Sequence, residues 1–184
     1  MAATIALQPV RPVLSAVGQE PWLMEFPEAA SQTFKRGEAV YLTTTGVAIC
    51  AANPGKILGF AAEDGHNGTA GQYKIGVYIA TPSTVFAGNL VTSGNANGNN
   101  AAPTGATTAT ALMGLSYGVN IDGTNHQTTV DTSNTGSSHE RAVVIGMVES
   151  YGISDPSEGV LGDIGGRVLF TVMPAYSQLY MLSS

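Results

Sequence analysis

Apolar residues in this chain come in short runs closed by glycine, asparagine or proline, and no segment repeats them at helical spacing. That pattern constrains the fold more than any other feature. A short run can bury a strand, but it cannot supply the long apolar stripe of a helix. With 23 Gly and 9 Pro in 184 residues, and few Lys, Glu or Gln to solvate helix faces, the chain reads as all-β, a small β-barrel or β-sandwich. A chain this long can bury roughly 70% of its unfolded surface, so a core needs no disulfide. Cys50, the single cysteine, excludes an internal one and any Cys-rich zinc site.

Residues 1–21 carry Ile5, Leu7 and Val10 in short alternation, broken by Pro9, Pro12 and Pro21. Proline removes ladder donors, so this stretch is an edge strand or an extended N-terminal arm. The domain reading is an arm over 1–21, lying on a neighbouring subunit, and one barrel-like domain over 22–184. Within it, 39–42 and 47–50 form a hairpin whose Gly46 supplies a positive φ. Residues 57–62 read as a strand buried on both faces, 73–79 as a half-buried strand, and 82–86 as a short strand or turn. The stretch 94–103 has no charge and no bulky apolar residue; it reads as a long Gly/Asn-rich loop, an insertion extending to about residue 110. Residues 112–119 return to strand character, and 126–131 form an exposed strand between two turns. The strongest β-formers are 142–148 and 167–173.

Groups able to carry chemistry are few. His66, His126 and His139 each lie in a polar, turn-rich stretch, with no spacing that suits metal ligation, and read as solvated loop histidines. Glu63 and Asp64 are adjacent and point to different sides, which suits a solvated strand end better than acid–base work. The stretches 122–125 and 131–136 lack the spaced carboxylates of a calcium loop. No Gly-x-Ser-x-Gly or phosphate-cradling loop occurs, and Cys50 reads as a small buried hydrophobe. The expectation is no catalytic residue, no cofactor and no metal.

Charge narrows the partners. The net charge is -6 and the pI about 4.8, which argues against nucleic acid. No apolar run reaches the roughly 18 residues of a bilayer span, and no basic residue precedes Arg11 as a secretory signal would want. From His66 to Ser138 the only charged residues are Lys74, Asp122 and Asp131. A free monomer keeps a charged surface for solubility; so neutral a stretch suits a chain held in an assembly. Large side chains near the two ends, Trp22 and Phe26, then Tyr176, Leu179, Tyr180 and Leu182, add to Ile5, Leu7 and Val10 as candidate interface residues.

The order of motifs resembles tailed-bacteriophage capsid decoration (cement) proteins. The residues that carry the resemblance are 34–42 (Phe-Lys-Arg-Gly-Glu-Ala-Val-Tyr-Leu), 45–48, 57–64 (Ile-Leu-Gly-Phe-Ala-Ala-Glu-Asp) and 77–82 with Phe86 after it. Later, 115–119, 144–148 and 166–170 look like the closing half of the same pattern. It spans about residues 30–173, and the 94–110 insertion departs from the compact form. The resemblance implies a small β-barrel on the capsid exterior of a virion, made in the host cytoplasm and often a homotrimer. Its partner would be the major capsid protein, whose subunits it locks together, with no nucleic acid, membrane or catalytic residue involved. Two other classes stay open: another virion β-module (tail-tube, head-spike or host-adhesion protein), and a carbohydrate-binding module or small hydrolase. The last wants a row of exposed aromatics or a carboxylate pair.

Overall fold

The computed structural model describes residues 7–15, 20–51, 54–92, 104–122, 126–136, 138–148 and 162–179. Twelve strands follow in chain order: β1 Arg11–Ser15, β2 Leu23–Pro27, β3 Ala39–Thr43, β4 Gly46–Ile49, β5 Gly59–Ala61, β6 Lys74–Ile79, β7 Thr84–Thr92, β8 Thr104–Gly105, β9 Ser116–Asp122, β10 Gln127–Asp131, β11 Ala142–Met147 and β12 Arg167–Val172. Two short 3-10 turns, Thr110–Leu112 and Pro174–Tyr176, are the helical elements among the described residues. The fold is thus nearly all β, as the spacing of the apolar runs requires.

The first sheet is five-stranded and antiparallel, in the order β2-β6-β5-β3-β4. Its hairpin turns at Thr44-Thr45, with Gly46 at φ 136, where a side chain would also meet the backbone of Pro27 and Ala29. The sheet curls so that Glu28 bridges Val47 and the Ala29 N–H donates to the Val47 carbonyl (2.9 Å). Phe34, Val40, Val47, Leu58, Ala61, Ile75, Val77 and Ile79 pack inside it.

The second sheet closes on itself. β7 pairs β10, then β9, β11 and β12 follow, and β12 returns to β7. This ring of five strands is a small barrel, with β1 and β8 added along β7. Period-two alternation turns Phe86 and Leu90 of β7, Tyr117, Val119 and Ile121 of β9, Val130 of β10 and Val168, Phe170 and Val172 of β12 into one core. Phe60, Ile57, Ala39 and Ala80 of the first sheet enter the same cluster. The Phe60 ring lies 4.6 Å from Phe86 and 5.8 Å from Phe170, so the sheets share their largest side chains. A bulge between Val144 and Gly146 in β11 turns Ile145 towards Val85, Ala87, Val148 and Leu169, a smaller apolar cluster.

Three segments differ from their sequence reading. The 82–86 stretch begins a nine-residue strand that contacts β1, β8, β10 and β12, because Gly88 and Asn89 interrupt the apolar pattern without interrupting the ladder. The strand at 126–131 is present, but residues 128–131 are buried rather than exposed. β10 lies between β7 and β9, and its Thr128 hydroxyl accepts the Ala39 N–H (2.9 Å). Of the expected arm, residues 11–15 form β1, an edge strand of the ring, and Val10 is 3% exposed within the main core. The edge-strand alternative describes this part. The loop stretch 94–103 lies outside the described residues.

Candidate interaction surface

The histidines that could carry chemistry are tied into structure. Glu28 is buried, and its carboxylate accepts both the backbone N–H of His66 (2.9 Å) and a 2.8 Å contact from His66 Nδ1. The His66 ring stacks on Tyr73 at 4.7 Å. His126, at φ 54, sets Nδ1 3.3 Å from Glu38 Oε2, which also accepts the Lys35 N–H at 2.6 Å. Glu38 is fully buried and its Oε1 has no partner. Burial is the main reason its pKa stands above the usual carboxylate value; the Lys35 N–H and His126 oppose the rise and Asp122 adds to it. His66 and His126 are thus loop residues, as the sequence suggests, but partly solvated ones with buried partners, whereas His139 meets Ser138 (3.1 Å) at the surface. His66 and His126 each pin a loop to a buried acid from a distant part of the chain.

Glu63 and Asp64 are likewise occupied. Glu63 accepts the Gly76 N–H (2.9 Å). Asp64 accepts the Arg36 N–H and the Lys35 ammonium, each at 2.9 Å, and these hold its carboxyl below the usual range. Cys50 is buried and its thiol is pushed well up by desolvation. Among the described residues, no group of His, Cys, Asp and Glu is arranged to hold a metal ion. On the face of β9–β10 opposite the core, Asn120 and Thr129 sit directly across from each other. Both are buried, and neither the Asn120 amide nor the Thr129 hydroxyl meets a partner.

The candidate interface residues separate into different environments. Ile5, Tyr180 and Leu182 lie outside the described residues. Leu7 is half-buried, its carbonyl accepting Gln127 Nε2 (3.2 Å). Val10 is buried by this chain itself, and Phe26, Tyr176 and Leu179 are half-buried by it. Val10 is in the main core; Phe26 and Leu179 pack on the interior of the first sheet. The Arg141 guanidinium lies 3.8 Å from the centre of the Tyr176 ring. The tail is held by backbone bonds from Ile57 to Tyr176 (2.7 Å) and from Gln178 to Ile57 (2.9 Å), because an unpaired sheet edge at Ile57 would otherwise face it.

Trp22 is the exception. It is 65% exposed, and Leu23 and Met24 beside it are 55% and 41% exposed. They lie at the start of β2, the end strand of its sheet among the described residues, which bridges β4 at Glu28. Beside β11, Met113 and Leu115 flank Gly114, which donates its N–H to the Val144 carbonyl, and both are exposed, as is Ile164. Sequence reasoning missed these last three, because isolated apolar residues in turn-rich segments look like strand ends. No family model matches the chain, and no curated protein or solved structure is similar to it.

Proposed function

We propose that this chain is a non-enzymatic structural protein of a tailed-phage particle. It binds the outside of the head, touches the major capsid protein and stabilises contacts between its subunits. The observation that carries the proposal is the presence of large apolar side chains in water on two different parts of the molecule: Trp22, Leu23 and Met24 where β2 begins, and Met113 and Leu115 beside β11. Apolar side chains exposed in groups mark binding surfaces, and two groups suit a protein that meets more than one neighbour. The order of motifs along the chain and the scarcity of charge between His66 and Ser138 support the same reading. The hydrogen bonds that Glu28, Glu63 and Asp64 accept within the chain support the non-enzymatic part of this reading.

The experiment is reconstitution. Heads assembled from the major capsid protein of the same phage, without this chain, are mixed with the purified protein and sedimented. Saturable co-sedimentation and a higher temperature of head disruption are expected. Replacing Met113 and Leu115 with Ser should weaken attachment tenfold or more while leaving the fold intact. A protein that ignores heads and is found on the tail of the native particle overturns the proposal.

A further inference from the structure

Beside the β3–β4 hairpin lies a cavity of about 410 Å³, walled by Tyr41, Ile49, Cys50 and Pro54, with Lys56 at its rim. Part of its lining is tied down. The Pro54 carbonyl accepts Arg141 Nε at 2.6 Å, and Arg141 lies on the Tyr176 ring; Cys50 Sγ is 3.7 Å from the Lys56 carbonyl. The volume suits one or two large side chains and is too small for a folded element. On the same chain, Trp22 stands largely in water and so does not fill its own cavity. The exposed acid Glu20 lies just before Trp22, whereas the cavity rim carries the exposed base Lys56; Glu25 is turned to the other face of β2 and pairs with Lys74 (4.0 Å).

We propose that Trp22 of one copy of this chain seats in the Tyr41–Ile49–Pro54 cavity of a second copy, with Glu20 facing Lys56. Each copy offers a knob and a hole, so two copies can exchange them reciprocally about a two-fold axis, or successive copies can pass them head to tail round a ring or along a file. Charge complementarity selects this occupant: the flank of the knob is acidic and the rim of the hole is basic. The inference does not need the capsid reading, since it concerns copies of this chain in the absence of any head.

Trp22 is the only tryptophan, so its fluorescence reports on the contact directly. Raising the concentration of the wild-type protein should produce association in sedimentation, with a blue shift and weaker acrylamide quenching over the same range. Trp22→Ser should lose association at least tenfold. Tyr41→Ser should do likewise, because Tyr41 is a wall of the cavity and its exposed ring is not part of the core. Both variants should keep the wild-type circular dichroism and melting profile. Mixed together, they should form a one-to-one pair and nothing larger, since one keeps the hole and the other the knob. The proposal is overturned by a wild-type protein that stays monomeric with Trp22 quenching unchanged, by association that survives Trp22→Ser, or by a mixture that fails to pair. Blue-shifted Trp22 only when heads are added would give the contact to the capsid and overturn the second-copy assignment, while leaving the capsid reading standing.

Discussion

Glu38 shows how much a single buried side chain can shape this protein. Its folded pKa lies above the ordinary 4.5, with burial as the first cause. A carboxyl raised in this way contributes stability that is complete below its unfolded pKa and lost as pH rises through the folded one. The window therefore opens near 4.5 and runs upward. Asp64 has the opposite sign, held low chiefly by the Arg36 N–H, but it is exposed and screened. Comparison with Glu38→Gln isolates the Glu38 contribution. Urea denaturation from pH 4.5 to 8 should show wild-type stability falling relative to the variant as pH rises; parallel curves would refute this. Glu28 acts differently, as the acceptor for two donors of His66. Glu28→Ala strands those groups and should cost about 1–3 kcal/mol, and Glu28→Gln less, in the same denaturation assay. Gly118 is a position of close approach: an added Cβ would fall on the Asn134 side chain. Gly118→Ala should cost about 1–3 kcal/mol, part of which Asn134→Gly should restore.

Among the elements, β1 is the one whose role changed most between sequence and structure. Its prolines exclude a central strand, and it does lie at an edge, but it is an edge of the chain's own ring. Arg167 ties the residues before it, donating to Gln8 Oε1 (2.9 Å) and the Pro9 carbonyl (3.0 Å). Val10 reaches the space above Gly88, beside the Phe170 ring. Val10→Ala should therefore lower the stability of the isolated protein by about 1–3 kcal/mol, measured by thermal and urea melts. A segment lying only on a neighbour would leave the isolated protein unchanged. At β2 the opposite holds: one side is paired with β6 and the outer edge pairs with no described strand over its exposed residues, which is the form of a strand that meets a partner.

For the whole molecule, the contact between the two sheets decides whether it behaves as one body. Phe60 belongs to the first sheet and touches Phe86 and Phe170 of the ring. Gln178 in the tail exchanges two hydrogen bonds with Leu42, each 2.7 Å, and so clasps the first sheet from the far end of the chain. A shared core of this kind predicts a single cooperative unfolding transition. Phe60→Ala should cost about 3–5 kcal/mol and lower the midpoint seen by Trp22 fluorescence and by far-ultraviolet circular dichroism together. Separate midpoints for the two probes would show that the sheets melt independently.

Strand class, hairpin position and the apolar character of the core were legible in the sequence, because they depend on local periodicity and turn chemistry. The runs at 39–42, 47–50, 142–148 and 167–173 became strands, and Cys50 is buried as its neighbours suggest. Exposure was not legible wherever pairing comes from far along the chain. β10 looks solvent-facing in its own residues, yet it is covered because β7 and β9 flank it. His66 and His126 look like loop residues, yet their partners Glu28 and Glu38 lie 38 and 88 positions away. Phe26 and Trp22 are near neighbours with similar side chains, but one packs inward and the other stands in water. A strand's alternation tells which residues share a face; only the tertiary structure decides which face is covered, because the cover is supplied by strands distant in sequence.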